Sequence, residues 1–385
     1  MRLIRILLIL NIVLLATGCA FIASRVVPVN DIQAPSGNYK VGTQLFHWTD
    51  SDRDEWFSEI DGDKRELVVQ VWYPSDETSN ETDPWLDNIS TREEAIMESF
   101  KVPQFIAKSI DRVDTDTFVE SIPLISNKFP VIIFSHGFEG FRSQNTTQIQ
   151  ELVSNGYIVF ALDHTYDATL TIMPDGRAIP RAKKYCYDCP PDEFYDVFIP
   201  QINTRIADIR FLINQIEKIK SGDVESNFSE AIDTDNIGIF GHSFGGGTSL
   251  ATSILDSRIK SCLSLDGWYA PVHPDIYNQG LSIPFLHLGQ VEWNTPKNYE
   301  ILNLILESKV NEGYKLSLEG AHHYDFTDAP HLSKLSSSFK LSSDLDSDEI
   351  LLVTNTAVLG FFDEHLKSKD TNWLDKLRKN INTKV

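Results

Sequence analysis

The stretch Asn236-Ile-Gly-Ile-Phe-Gly-His-Ser243-Phe-Gly-Gly-Gly decides the fold of this 385-residue chain. It contains the pattern Gly-x-Ser-x-Gly directly after a short apolar run and directly before a segment with helical spacing. This order predicts a strand, a sharp turn and a helix, with Ser243 exposed at the turn. A serine held there needs very small neighbours, which Gly241 and Gly245 provide. We therefore predict that Ser243 is a nucleophile; a serine that only caps a helix is the alternative.

Short apolar runs on both sides of this segment predict the rest of the sheet. Runs that are apolar throughout suit strands buried on both faces, as in parallel sheets, and they occupy residues 131–135, 157–163, 237–241, 262–266, 283–289 and 315–318. Helical spacing of apolar residues occurs between them and near the end of the chain, at 144–155, 200–220, 245–257 and 347–367. This alternation predicts the fold class α/β, with a doubly wound, mostly parallel sheet.

Residues 164–199 do not fit this alternation. They contain four prolines and the pair Cys186 and Cys189, for which we expect a local disulfide, with two free thiols as the alternative. The insertion follows the run at 157–163, so it begins at the carboxyl edge of the sheet, where open α/β sheets bind ligands. We predict that it forms a cap over the site; a surface excursion without a role is the alternative.

Composition and charge restrict the classes of function. Of all residues, 42% are apolar, which is enough for a large core and too many for a disordered protein. Acidic residues outnumber basic ones by 55 to 34, which gives a formal net charge of −21. A surface this acidic repels phosphates, so we expect no nucleic-acid partner. The lone Cys-x-x-Cys lacks the further ligands of a zinc site, and we expect no metal.

The first nineteen residues predict export. Two arginines precede an apolar run at 6–16, which is too short for a membrane span and typical of a secretory signal. The sequence Ala16-Thr-Gly-Cys19 resembles the end of a bacterial lipoprotein signal, which implies acylation of Cys19 and attachment to a membrane. Plain secretion is the alternative. The predicted organisation is a signal peptide at 1–18, a tether at 19–40 and one domain at 41–385.

Two backbone amides are predicted to face Ser243. The run Pro130-Val-Ile-Ile-Phe-Ser leads into His136-Gly137, and a His-Gly pair after an early strand often supplies an oxyanion-hole donor in α/β-hydrolases. We assign the N–H groups of Phe138, directly after this pair, and of Phe244, directly after the serine. Such donors stabilise the negative charge that develops on a carbonyl oxygen under attack. A simple turn at the end of the strand is the alternative for Gly137.

A serine hydroxyl needs a base to take its proton and an acid to orient that base. Candidates for the base lie after the last predicted strand, where His322 and His323 follow directly and His331 lies further on. Candidates for the acid are Asp266 and Glu292, which each follow an apolar run. Spacing favours Asp266 over Glu292 without excluding Glu292, and it does not separate His322 from His323.

Together these segments resemble the platelet-activating-factor acetylhydrolase family of α/β-hydrolase serine esterases. The resemblance covers about residues 66 to 330 and rests on Gly-His-Ser-Phe-Gly-Gly, Leu265-Asp-Gly-Trp268 and His323-Tyr-Asp-Phe-Thr-Asp328. In that family the acid stands in a Leu-Asp-x-Trp context, and the histidine stands three residues before Phe and five before Asp. The resemblance therefore implies Ser243, Asp266 and His323 as the catalytic residues.

The resemblance also implies an α/β-hydrolase fold and a serine carboxylic ester hydrolase that needs no cofactor. Its expected substrates are small-molecule or lipid esters, namely short-chain esters or the sn-2 acyl esters of phospholipids. Trp268, Tyr269 and Phe138 are candidates for lining the pocket, and a place in the hydrophobic core is the alternative for each. A polyester, cutin-like or lactone hydrolase is an alternative with the same catalytic residues, and an open cleft would favour it. A non-catalytic surface binding protein is the remaining alternative.

Overall fold

A computed structural model describes residues 27–182, 191–293, 295–308, 312–380 and 383–384 of the chain. The strands within these residues are β1 (Lys40–Asp54), β2 (Lys64–Ser75), β3 (Thr117–Val119), β4 (Phe129–Ser135), β5 (Ile158–Asp163), β6 (Leu170–Ile172), β7 (Ala178–Pro180), β8 (Ile232–His242), β9 (Ile259–Leu265), β10 (Phe285–Gln290), β11 (Gly313–Leu318) and β12 (Thr383–Lys384). The helices are α1 (Ile89–Phe100), α2 (Gln104–Ser109), α3 (Thr146–Ser154), α4 (Pro191–Ser221), α5 (Phe244–Leu255), α6 (Pro274–Tyr277), α7 (Pro296–Glu307), α8 (Ala329–Leu332), α9 (Ser347–Lys367) and α10 (Trp373–Asn380).

Ten of the described strands form one sheet, in the order β12-β11-β10-β9-β8-β4-β5-β2-β1-β3. From β11 to β5 every neighbouring pair is parallel, whereas β2 and β1 extend the sheet as antiparallel strands. The other two strands, β6 and β7, form a separate hairpin. The predicted α/β class with a mostly parallel sheet is therefore confirmed.

Alternate side chains of the parallel strands contribute to two cores, one on each face of the sheet. On β4, Val131 and Ile133 belong to a cluster with isoleucines of α4, whereas Ile132 and Phe134 belong to a cluster with α3 and α9. Burial on both faces explains why these strands are apolar at every position. Because helices hold the sheet from both sides, the loops at its carboxyl edge have a rigid base.

The second half of the predicted tether is part of the folded unit, which corrects the expectation that residues 19–40 form a linker. Val27 and Ile32 are buried, and the backbone N–H of Asn30 donates to the carbonyl of Leu332 over 2.8 Å. The prolines of this stretch thus mark an irregular segment that packs against the domain. A few buried apolar side chains suffice for this, and they leave no periodic pattern in the sequence.

Several predicted features lie outside the described residues: the signal peptide, Cys19, and the pair Cys186 and Cys189. Within the described ranges, no helix has both the length and the apolar character needed to cross a membrane. Cys262 lies in β9 and is fully buried as a free thiol.

Candidate active site

Ser243 lies at the turn between β8 and α5, with φ of 56° and ψ of −120°. This backbone conformation is strained for a residue that has a side chain, and it persists only where the surrounding structure imposes it. Gly245 is required next to it, because a Cβ there would lie 1.9 Å from the Ser135 carbonyl oxygen. A Cβ on Gly241 would lie 2.4 Å from the Gly245 carbonyl. The two glycines therefore let the strand and the helix meet closely around Ser243.

The predicted acid and base meet at the carboxyl edge of the sheet. Asp266 follows β9 and is fully buried, and its Oδ2 accepts a hydrogen bond from Nδ1 of His323 over 2.6 Å. The backbone N–H and the side-chain amide of Gln290 donate to the same carboxylate at 3.1 and 2.9 Å. Because Nδ1 of His323 donates to a carboxylate, Nε2 is left as the nitrogen that can accept a proton.

The alternative residues for these two roles lie elsewhere. His322 is exposed and caps a short helical turn at 323–326, and Glu292 is exposed in the loop after β10. His331 is buried in α8. The structure therefore pairs Asp266 with His323, the two residues that the family resemblance implied.

Ser243 and His323 line the same cleft. Ser243 is 7% exposed, and its hydroxyl makes no hydrogen bond with any residue in the described part of the chain. In active sites without substrate the contact between nucleophile and base is often long and shortens in the substrate complex. The site thus holds an alcohol, an imidazole and a buried carboxylate, with a short hydrogen bond between the last two.

The two predicted oxyanion donors belong to residues close to Ser243. Phe244 is the first residue of α5, so its N–H is not used within the helix. Phe138 follows β4 and lines the same cleft as Ser243, and the rings of Phe138 and Phe244 are 6.2 Å apart between centroids. A Cβ on Gly137, the residue before Phe138, would lie 2.9 Å from Nδ1 of His242. Glycine at this position therefore allows the loop to approach the serine turn.

A buried hydrogen-bond relay joins this loop to the base. The N–H of Gly137 donates to Oε1 of Gln144 over 3.1 Å, Nε2 of Gln144 donates to Nδ1 of His242 over 2.8 Å, and Nε2 of His242 donates to the carbonyl of His323 over 2.9 Å. The N–H of Gly137 can only donate a hydrogen bond and the carbonyl of His323 can only accept one. His242 must therefore be neutral with its proton on Nε2. Burial, together with the nearby His323, holds the pKa of His242 well below its ordinary value. Sequence reasoning missed Gln144, since an isolated glutamine gives no signal.

An apolar cleft with about 1030 Å³ of space not occupied by protein atoms opens beside Ser243. Its walls come from residues 27–29, from α1 and α2 with the segment before them, from residues 137–144, and from residues 324–341. Trp85, Phe100 and Phe141 are among its large apolar side chains. Segments far apart in sequence therefore build a largely hydrophobic binding site, the common character of small-molecule sites.

The insertion at 164–199 does not form the predicted cap over this cleft in its described part. No described residue of the insertion lines the cleft. Instead, its first residues pack under the Phe138 loop, where the N–H of Thr169 donates to the carbonyl of Gly140 over 2.9 Å. The helices α1 and α2 take the place expected of the cap, because the chain between β2 and β4 also reaches this edge.

The prediction that Tyr269 lines the pocket is wrong. Tyr269 is fully buried, and its hydroxyl pairs with Oγ of Ser264 and Nδ1 of His287 at 2.9 and 2.7 Å. Trp268 is half-buried and packs against Phe244, with 5.3 Å between ring centroids, outside the residues that line the cleft.

Within the part of the chain that the structure describes, no three His, Cys, Asp or Glu side chains are grouped as metal ligands would be.

The fold and the site, with a serine on a strained strand-to-helix turn and a His–Asp pair at the carboxyl edge, define an α/β-hydrolase of the esterase class. A family model described as "Platelet-activating factor acetylhydrolase, isoform II" matches residues 26–385. The chain belongs to this family, which confirms the resemblance found in the sequence.

Known relatives agree with this family. The chain is 26% identical over 384 residues to a platelet-activating factor acetylhydrolase of Canis lupus familiaris, covering 93% of this chain and 82% of the relative. It is 24% identical over 333 residues to a probable 1-alkyl-2-acetylglycerophosphocholine esterase of Arthroderma benhamiae, covering 81% of each. A ferulic acid esterase from Streptomyces cinnamoneus, 23% identical, has the same fold with a TM-score of 0.73 over 93% of this chain and 99% of that chain.

Proposed function

We propose that the protein hydrolyses carboxylic esters through Ser243 as nucleophile, with His323 as base and Asp266 as the group that orients His323. The observation that carries the proposal is the 2.6 Å hydrogen bond between His323 and the buried Asp266, in the cleft where Ser243 sits on its strained turn. Burial keeps water away from the carboxylate and strengthens its interaction with the imidazole. This arrangement suits proton transfer from an alcohol that must become a nucleophile.

The reaction proceeds through an acyl-enzyme. Oγ of Ser243 attacks the ester carbonyl carbon while Nε2 of His323 takes the hydroxyl proton. The carbonyl electron pair moves to oxygen, which accepts hydrogen bonds from the N–H groups of Phe138 and Phe244. Collapse breaks the bond to the alcohol, which leaves with the proton from His323. Water then attacks the acyl group, and His323 carries its proton back to Ser243 as the carboxylic acid leaves.

We propose that the substrate is a short-chain ester or a phospholipid with a short sn-2 acyl group. The relatives are named for hydrolysis of platelet-activating factor and of 1-alkyl-2-acetylglycerophosphocholine. The apolar walls of the cleft, with Trp85, Phe100 and Phe141, suit a hydrocarbon chain, since burial of apolar surface favours binding by about 25 cal/mol per Å². Because helices wall the cleft, a small or lipid ester fits it better than a polymer chain.

Attachment to a membrane through an acylated Cys19 is part of the proposal. Val27 and Val29 line the cleft, so the wall of the cleft begins eight residues after Cys19. An extended chain of this length spans about 26 Å, so a lipid on Cys19 would hold the cleft close to the membrane surface. Mass spectrometry of the mature amino terminus tests this, because an unmodified amino terminus at any residue other than Cys19 would contradict it.

The experiment that tests the catalytic proposal compares variants on nitrophenyl esters of increasing chain length and on 2-acetyl phospholipids. We expect Ser243→Ala and His323→Asn to lower kcat by at least about 10³-fold. His322→Asn is the matched control, because Asn retains a capping side chain, and it should keep kcat within about threefold. Wild-type turnover by Ser243→Ala would refute the proposal and would favour a non-catalytic binding protein. Activity confined to long polymer esters or lactones would refute the substrate assignment.

A further inference from the structure

Arg205 of α4 contacts the loop that carries Phe138. Its side chain is 1% exposed and forms an ion pair with Asp167. One guanidinium nitrogen, Nη1, donates to the carbonyl of His136 over 2.7 Å, and Nη2 donates to the carbonyl of Gly137 over 3.2 Å. The guanidinium carbon also lies 4.5 Å from the centre of the Phe244 ring. One buried cation therefore contacts both sides of the predicted oxyanion hole.

The carbonyl of Gly137 and the N–H of Phe138 belong to the same peptide unit. In a planar trans peptide these two groups point in opposite directions, so fixing the carbonyl also fixes the direction of the N–H. Besides Arg205, Nδ1 of His136 and the N–H of Gly140 donate to this carbonyl at 2.6 and 3.0 Å. Rotation of the peptide would leave these buried donors without an acceptor, which is strongly unfavourable.

His136 is held in the matching state by its other contacts. Its Nε2 accepts the backbone N–H of His164 over 3.1 Å, so its proton must lie on Nδ1, which faces the Gly137 carbonyl. Burial, together with the nearby charge of Arg205, keeps the pKa of His136 well below its ordinary value. The neutral ring and the charged guanidinium thus hold the same carbonyl from two directions.

We propose that Arg205 is a positioning residue for the oxyanion hole, which locks the Gly137–Phe138 peptide so that the N–H of Phe138 faces the reacting carbonyl before substrate arrives. The inference rests on the proposed function. Preorganised donors of this kind are effective because no reorganisation is needed when the negative charge develops. The guanidinium of Arg205 over the Phe244 ring also holds Phe244, which carries the second donor, in a fixed position relative to Phe138.

Two variants separate this role from a general contribution to folding. Arg205→Lys keeps one positive charge next to Asp167 but cannot bind two carbonyls in a planar fork. The double variant Arg205→Met with Asp167→Asn removes the ion pair without leaving a buried carboxylate unpaired. Arg65→Lys is the matched control for Arg205→Lys, because Arg65 is equally buried, pairs with Asp208 of the same helix and also keeps its positive charge in the variant. Circular dichroism and thermal melting establish which variants fold.

The readout is the split between kcat and KM on nitrophenyl acetate, together with two ketone inhibitors. A trifluoromethyl ketone forms a charged adduct with Ser243 and needs the oxyanion donors, whereas the matched methyl ketone binds without the charge. For Arg205→Lys we expect kcat to fall by about 10²-fold and KM to change by less than about threefold. The trifluoromethyl ketone should weaken by the same factor as kcat/KM while the methyl ketone is unchanged.

Several results would overturn the inference. A folded Arg205 variant that keeps kcat within about threefold would do so, as would parallel weakening of both ketones, which indicates a collapsed cleft. An equal fall in kcat for Arg65→Lys would assign the effect to the loss of any buried guanidinium. If Ser243→Ala is inactive and the Arg205 variants are fully active, this inference fails alone; if Ser243→Ala is active, the proposed function fails.

Discussion

The substitution Asp266→Asn tests the pairing of acid and base most directly. In the protein, Oδ1 of Asp266 accepts the backbone N–H of Gln290 over 3.1 Å, and Oδ2 faces Nδ1 of His323 over 2.6 Å. The side-chain amide of Gln290, which donates to Oδ2 over 2.9 Å, can rotate, whereas the backbone N–H at Oδ1 cannot turn away. We therefore expect the single oxygen of an asparagine to occupy the Oδ1 position. The new amide NH2 then faces His323, whose Nδ1 must become an acceptor. Its proton moves to Nε2, the nitrogen that should take the proton of Ser243.

Two contributions set the size of the effect. Removing a charge about 4 Å from the forming imidazolium costs about 4 kcal/mol at an effective dielectric constant of about 20, which corresponds to roughly 10³ in rate. The reversed tautomer adds to this, and the comparable change in a serine protease lowers kcat by about 10⁴. We therefore expect kcat to fall by about 10³ to 10⁴. KM should change little, because Asp266 is fully buried and does not line the cleft.

The assay is steady-state hydrolysis of nitrophenyl acetate, with urea denaturation to show that the variant is folded. Glu292→Gln is the matched control, since Glu292 is the other candidate for the acid in the sequence and is exposed. We expect this control to keep full activity. Retention of more than about a tenth of wild-type kcat by folded Asp266→Asn, or a large loss in Glu292→Gln, would refute the pairing of His323 with Asp266.

Two further predictions concern stability. Gly245→Ala places a Cβ 1.9 Å from the Ser135 carbonyl oxygen, so it should cost about 1–3 kcal/mol in urea denaturation and lower kcat by about 10²-fold through displacement of the serine turn; unchanged values would contradict this geometry. The second prediction is acid lability, because burial lowers to about 4 the pKa values of His164, His287 and His331. As the pH falls below about 6.5, these histidines bind protons in the unfolded chain before they do so in the folded protein. The stability that they contribute above pH 6.5 is therefore lost, by about 2 kcal/mol per histidine at pH 5. Burial raises the pKa values of Asp83 and Asp328 to about 6, which acts in the opposite sense by about 1 kcal/mol each. The histidine effect is the larger of the two, so equal urea midpoints at pH 7 and pH 5 would contradict this net loss of stability in acid.

The parts of the fold that were predictable are those with a local signature. Apolar runs marked the parallel strands, because burial on both faces demands apolar side chains at every position. Glycines marked the serine turn, because only they fit where β8 and α5 meet. His323 and Asp266 needed the family resemblance, since spacing alone left His322 and Glu292 open. The choice between neighbouring histidines depends on which ring turns toward a residue 57 positions away, and neither hydrophobic periodicity nor strand spacing encodes that.

The residues that sequence reasoning missed are single polar side chains bonded to the backbone of distant segments. Gln144 acts on the Gly137 N–H and on His242, and Arg205 binds carbonyls almost seventy positions earlier in the chain. Every type of residue has a backbone carbonyl. A side chain that binds such a carbonyl therefore leaves no recognisable pair of residue types in the sequence. The described part of residues 164–199 does not line the cleft, contrary to the predicted cap, for a related reason. Apolar side chains that cover a cleft resemble those that fill a core, and only the path of the chain distinguishes them.

A chain of hydrogen bonds from Ser to His to Asp does not by itself make a serine catalytic in this protein. Oγ of Ser135 lies 2.9 Å from Nε2 of His164, and Nδ1 of His164 lies 2.9 Å from Oδ2 of Asp208, a chain of the type expected for catalysis. Yet all three residues are fully buried, and burial with the nearby charge of Arg205 lowers the pKa of His164 to about 4, so it is a weak base at neutral pH. Ser243 differs in its position on a strained turn that opens into an apolar cleft. Access for an ester therefore carries the assignment, more than the identity of the three residues does.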